Sequence, residues 1–98
     1  MWSKLSRLSY NQLVVLGWLA AHPAEFGEVR SLARATPLKS KSLGGVLSSL
    51  SRAKFRGLSL IEPWGRAKSG PGLRWKMNES LVKSGDIKKE VTRLLSQY

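Results

Sequence analysis

Apolar residues recur at the spacing of an α-helix in several stretches of this chain, the first being residues 10–21. That stretch is apolar over most of its circumference, so we expect it to be the central helix of the core. Ser9 followed by Gln12 predicts a capping-box start, and His22-Pro23 ends the pattern. A second, shorter helix is predicted over residues 25–35, before the next proline.

A third helix is predicted over residues 39–53, in which four apolar residues fall at i, i+3, i+4 and i+7 and share one face: Leu43, Val46, Leu47 and Leu50. The opposite face is basic, rich in hydroxyl groups and free of acids, and it carries Lys39, Lys41, Ser42, Gly45, Ser48 and Ser49. Gly44 and Gly45 are poor helix formers, each costing about 1 kcal/mol relative to alanine. Two explanations are open: something approaches the backbone closely, or the second helix packs closely against the third.

The pattern then changes to the two-residue period of β-strands. Two short antiparallel strands are predicted from the alternating apolar residues Leu58 and Leu60 in one and Leu73, Trp75 and Met77 in the other. Residues 63–72 between them are rich in glycine and proline and predict a loop, with Arg66 and Lys68 near its tip. Arg74 and Lys76 fall on the strand face opposite the apolar residues, where they either supplement phosphate binding or face solvent.

The C-terminal part predicts more helix, with Asn78 capping a short turn over residues 79–83 and Asp86 capping a last helix over residues 86–98. This last helix carries an apolar stripe: Ile87, Val91, Leu94, Leu95 and Tyr98. The stripe either folds back on the first helix and completes the core, or forms a homodimer with its copy. Residues 1–8 are expected to form a loose N-terminus of the single domain, residues 1–98.

Composition narrows the class of protein. The chain has 98 residues with 42% hydrophobic content, which fits one folded domain, and no apolar run is long enough to span a membrane. It has no cysteine, which excludes disulfides and thiolate metal sites and fits a cytoplasmic protein. The net charge is +11, and residues 36–76 alone carry nine basic residues and one acid, a net charge of +8. Such a segment favours a polyanionic partner.

The order of three helices, a β-hairpin with a basic loop and a C-terminal helix resembles the winged helix-turn-helix superfamily, particularly small bacterial and archaeal transcriptional regulators. The resemblance covers about residues 10–80 and rests on Val29, Leu32-Ala33, Thr36-Pro37-Leu38, Leu43, Leu47, Leu50, Gly57-Leu58 and the loop 63–72. It implies a mainly α fold with a small β-hairpin (α+β): a three-helix core, a wing and a C-terminal helix. Gly57-Leu58 follows Leu50 later than in the family, so either the third helix is longer or residues 54–56 form an extra loop.

The resemblance implies that the third helix enters the major groove of double-stranded DNA and that the wing contacts the backbone or the minor groove. Long basic side chains suit phosphate or guanine, and serine hydroxyls suit base edges or phosphate. The predicted DNA-binding residues are Lys39, Ser40, Lys41, Ser42, Gly45, Ser48, Ser49, Arg52, Arg66 and Lys68. Trp64 either stacks on an exposed base or pins the wing to the body, and we expect the packing role.

We therefore predict a DNA-binding transcriptional regulator that needs no cofactor and no metal. The chain is not expected to be an enzyme, because its one histidine and scattered acids form no catalytic arrangement. Two alternatives are a protein-interaction or assembly module with an acidic partner, and an accessory nucleic-acid-binding domain of a larger enzyme or replication protein.

Overall fold

Four helices and two β-hairpins are found in the computed structural model, which describes residues 5–22, 25–55, 57–68, 73–78 and 84–97. In chain order the elements are α1 (Tyr10–Ala21), α2 (Val29–Ala35), α3 (Ser40–Arg52), β1 (Lys54–Phe55), β2 (Leu58–Ser59), β3 (Ile61–Arg66), β4 (Leu73–Met77) and α4 (Ser84–Leu95). The α+β class predicted from the sequence is confirmed. Arg56, Tyr98, residues 69–72 of the predicted loop and the predicted turn 79–83 lie outside the described residues.

Helix α1 has the predicted bounds and the predicted cap. The Gln12 amide donates to the Ser9 hydroxyl at 3.2 Å, and the Ser9 amide donates to Gln12 Oε1 at 2.8 Å, so the capping box is complete. His22 ends the helix, with its backbone N–H donating to the carbonyl of Trp18 and its ring stacked on the Trp18 ring. Leu13, together with other apolar side chains of α1, is buried in the core.

Helix α2 begins at Val29, so the expectation that it starts near residue 25 is wrong. The reason lies in Gly27, whose N–H donates to the Trp75 carbonyl at 2.7 Å and whose carbonyl accepts from the Trp75 N–H at 2.8 Å. Because both polar backbone groups of Gly27 are engaged by β4, this residue cannot also join the first turn of a helix.

The β3–β4 hairpin corrects the predicted loop, because residues 63–66 continue β3 and pair with β4. Pro63 stands opposite Trp75 in this antiparallel pair. The backbone N–H and carbonyl of Trp75 point the other way, toward Gly27, so the ladder needs no donor from Pro63. A register shift follows between Pro63 and Arg66, where Gly65 has a φ of 92°.

The second hairpin, β1–β2, settles how the chain leaves α3. Helix α3 ends at Arg52, and Lys54 then pairs with Ser59 across a tight turn in which Gly57 has a φ of 81°. The longer third helix is therefore excluded, and Lys54 and Phe55 form a strand where an extra loop was the alternative. The single strand predicted from Leu58 and Leu60 is also wrong, because Leu58 belongs to β2, which pairs with β1, and β3 begins only at Ile61.

Helix α4 packs along α1 and completes the core. A Cβ atom built on Gly17 would lie 3.0 Å from Val91 Cγ1, so the two helices approach closely there. Ile87, Val91 and Leu94 are buried within this one chain, and Leu95 packs against the same core. The stripe therefore folds back on the core through these four residues, as one of the two alternatives expected, while its last member, Tyr98, lies outside the described residues.

Three further residues refine the sequence picture. Leu5 is fully buried and Leu8 packs against the core, so these two residues of the expected loose N-terminus are anchored, while residues 1–4 lie outside the described residues. Asn78 is buried, with its backbone N–H donating to the Leu60 carbonyl and its side chain donating to the Ser59 carbonyl.

No helix among the described residues is long and apolar enough to cross a membrane.

Candidate nucleic-acid interface

The burial of one face of α3 determines which side chains its other face presents to solvent. Leu43, Leu47 and Leu50 are buried, as the periodicity predicted. On the opposite side, four residues at i, i+4, i+7 and i+11 share one exposed face: Lys41, Gly45, Ser48 and Arg52. We call these four residues the α3 face.

Two glycines leave the backbone of α3 accessible from this side. A Cβ atom built on Gly44 or on Gly45 would meet no atom of the described residues within 4 Å. Close packing of α2 against α3 therefore does not account for them, and that alternative is excluded. The helix therefore has a basic face with glycine near its centre, where the backbone itself is exposed.

The N-terminus of α3 has an unusual charge distribution. Lys39 is the N-cap and makes no side-chain capping bond, and the first turn, which includes Ser40, Lys41 and Ser42, contains no acid. All four of these side chains are exposed. A cation at this end opposes the helix dipole, whereas an anion there would be stabilised by the N–H groups of the first turn and by the lysines.

Ser49 does not belong to the exposed face on which the sequence analysis placed it. Its hydroxyl accepts a hydrogen bond from Gln12 Nε2 at 2.9 Å and donates to the Val46 carbonyl at 2.8 Å. Since Gln12 also closes the cap of α1, one glutamine side chain ties the start of α1 to the middle of α3. Ser49 therefore has a structural role, and Ser48 remains the outward-facing serine.

Lys68, which follows β3, is held near the start of α2 by a hydrogen bond from its backbone. The Lys68 N–H donates to Glu28 Oε2 at 3.0 Å, and the Glu28 residue is buried. The Arg66 and Lys68 side chains are both exposed. The contact joins Glu28 to a residue forty positions later, so it left no local signal in the sequence.

A shallow groove places the hairpin beside α3. It has a volume of about 220 Å³ and is lined by Val29, Gly44, Leu47, Ser48, Leu73 and Trp75. Gly44 and Ser48 are exposed residues of α3, and Leu73 is a partly exposed residue of β4. The helix and the hairpin therefore form one continuous surface.

The basic side chains of this surface are not neutralised by acids among the described residues. An ion pair joins Arg93 to Glu90 at 2.6 Å on α4, and this contact lowers the pKa of the Glu90 carboxyl through the hydrogen bond from Arg93. No described carboxylate lies within ion-pair distance of Lys39, Lys41, Arg52 or Arg66. Their charge is thus available to a polyanion.

No protein-family model, no curated protein and no solved structure matches this chain. Function therefore has to follow from the chain's own residues and their arrangement.

Proposed function

We propose that this chain is a double-stranded-DNA-binding protein of the winged helix-turn-helix type and acts as a cytoplasmic transcriptional regulator. The observation that carries the proposal is the α3 face, which is exposed, basic, free of acids and small at its centre. A helix with this profile suits the major groove, where long side chains reach bases and small residues let the backbone approach. The order of α2, α3 and the β3–β4 hairpin supports the same proposal.

The dimensions of α3 agree with this placement. Lys41 and Arg52 are eleven residues apart, which corresponds to about 16 Å along a helix. The major groove is about 12 Å wide, so cations at the two ends of the face reach phosphates on both sides of the groove. Gly45 and Ser48 lie between them and would face the base edges.

The hairpin adds contacts outside the major groove. Arg66 is exposed at the end of β3, where it pairs with Leu73 of the groove, and Lys68 is exposed two residues later. In this proposal they bind the neighbouring backbone or the minor groove, contributing affinity without sequence information.

The test is the salt dependence of binding to a labelled random-sequence duplex, followed by fluorescence anisotropy. If four to six phosphates are neutralised, the log–log slope of affinity against salt is expected to be about −4 to −5. Lys41→Gln and Arg52→Gln are each expected to reduce the steepness by about 0.9, the value of one phosphate contact. Lys89→Gln is the matched control, since it removes the same charge from an exposed position on α4.

A slope near zero, or equal effects of Lys41→Gln and Lys89→Gln, would contradict the proposal. Binding to an acidic protein in place of duplex DNA would favour the interaction-module alternative. Selection of bound sequences from a random duplex library would then separate a regulator, which enriches a motif, from an accessory domain, which does not.

A further inference from the structure

The outer face of the β3–β4 hairpin carries a cluster of two aromatic and two basic side chains, and the proposed duplex contacts do not use them. The members are Phe26, Trp64, Arg74 and Lys76, which we call the aromatic–cation cluster. The ring centroids of Phe26 and Trp64 lie 6.1 Å apart, and the ring planes are inclined by 54°. Trp64 is 49% exposed, so about half of its surface stays outside the packing that the sequence analysis expected.

The two cations are held against these rings. The Arg74 guanidinium carbon lies 4.2 Å from the centroid of Phe26, and Arg74 Nε donates to the Trp64 carbonyl at 2.6 Å. Lys76 Nζ lies 5.6 Å from the Phe26 centroid and 5.7 Å from the Trp64 centroid. These are cation–π distances, so the basic groups are positioned beside the rings before any ligand arrives.

This cluster is on the opposite side of the hairpin from the core. Residues alternate along β4, and Trp75 and Met77 are buried while Arg74 and Lys76 are partly exposed. Glu62 pairs with Lys76 across the strands and is the acid of this face among the described residues. The net charge of this face is therefore positive, and the cluster is separate from the α3 face.

A half-exposed tryptophan beside fixed cations matches the chemistry of single-stranded nucleic-acid sites. Such sites combine an aromatic side chain, on which a base stacks, with basic groups that hold the backbone phosphate. A base inside a duplex is already stacked on its neighbours, so only an unpaired base can lie on Trp64. Aromatic stacking carries no strong sequence preference, because every base has a π-face.

We propose that the aromatic–cation cluster is a second nucleic-acid site, which stacks one unpaired DNA base on Trp64 and binds its phosphate through Arg74 and Lys76. The site is independent of the duplex-binding proposal, because it uses a different face and different residues. It would let the protein engage a single strand or an opened end.

The experiment compares a labelled twelve-residue oligothymidylate with an abasic phosphodiester oligomer of equal length and charge. The wild-type protein is expected to bind the oligothymidylate roughly tenfold more tightly, since one base–aromatic stack corresponds to a change of about 5- to 150-fold. Trp64→Ala is expected to lower oligothymidylate affinity to the abasic level without changing abasic affinity. Trp64→Phe, which keeps a ring, should retain part of the preference.

Two controls isolate the stack. Leu58→Ala removes a side chain of similar exposure, 45%, from the other hairpin and should leave the preference intact. Arg74→Gln should weaken both oligomers alike, because it removes a phosphate contact. Random-duplex binding by Trp64→Ala should be unchanged, so failure of this proposal is distinguishable from failure of duplex binding at α3.

Equal affinity of the wild-type protein for the two oligomers would overturn the proposal without recourse to any variant. Equal weakening of both oligomers by Trp64→Ala would overturn it too, as would a preference that persists in that variant.

Discussion

Gly45 in α3 and Gly17 in α1 allow one substitution, glycine to alanine, to be compared in two surroundings. A Cβ atom at Gly45 meets nothing within 4 Å, whereas a Cβ atom at Gly17 lies 3.0 Å from Val91 Cγ1. Gly45→Ala should therefore realise the full helix-propensity difference, about 1 kcal/mol of added stability. For a domain of this size that corresponds to a rise in Tm of about 4–8 °C.

Gly17→Ala brings the same gain in helix propensity, but a steric conflict with Val91 offsets that gain. The new methyl group on α1 would have to push the Val91 side chain of α4 away by a few tenths of an ångström. Overpacking against a neighbouring side chain costs about 1–3 kcal/mol, so the net effect is expected to be neutral or destabilising. The two variants should therefore differ in sign or lie at least about 1 kcal/mol apart.

Stability is measured by urea and thermal denaturation followed by circular dichroism. A shift of the urea midpoint at constant slope identifies a change in stability alone. Equal stabilisation by both substitutions would refute the close approach of α1 and α4, and no stabilisation by Gly45→Ala would refute its open surroundings. The same Gly45→Ala protein tests the proposed interface, because its methyl group should weaken duplex binding although the protein is more stable.

The remaining predictions separate structural from binding roles. Ser49→Ala should lower the free energy of unfolding by about 1 kcal/mol, the net value of a typical hydrogen bond, and leave duplex affinity unchanged. Ser48→Ala should weaken duplex binding and leave the free energy of unfolding unchanged. Identical effects of the two changes would contradict the placement of these serines. Ser48→Ala should also alter sequence preference in a duplex selection, whereas Lys41→Ala and Arg66→Ala should weaken binding to all duplexes alike, because phosphate contacts carry no sequence information. Truncation after Gly85 should unfold the protein in circular dichroism rather than yield a folded monomer, because each lost core side chain contributes about 2 kcal/mol.

The sequence by itself determined the elements whose signal is local. The capping box of Ser9 and Gln12 and the helical period of α1 and α3 depend on residues within a few positions of one another, so their bounds followed from the pattern. The alternation likewise indicated the core side of β4 for Trp75 and Met77, which are buried, whereas Leu73 at the start of the strand is exposed. The basic face of α3 followed from the same periodicity, apart from Ser49, whose hydrogen bond with Gln12 is non-local.

Only the tertiary structure decided the features that depend on distant partners. Gly27 leaves the helical pattern because Trp75 engages both of its backbone groups, and Pro63 enters a strand because Trp75 requires no donor from it. The apolar stripe of α4 was equally suited to a core or to a dimer, since periodicity reveals an apolar face and not what covers it. The pairing of Gly27 with Trp75 places the neighbouring Phe26 beside Trp64, so the aromatic–cation cluster exists only once the chain has folded.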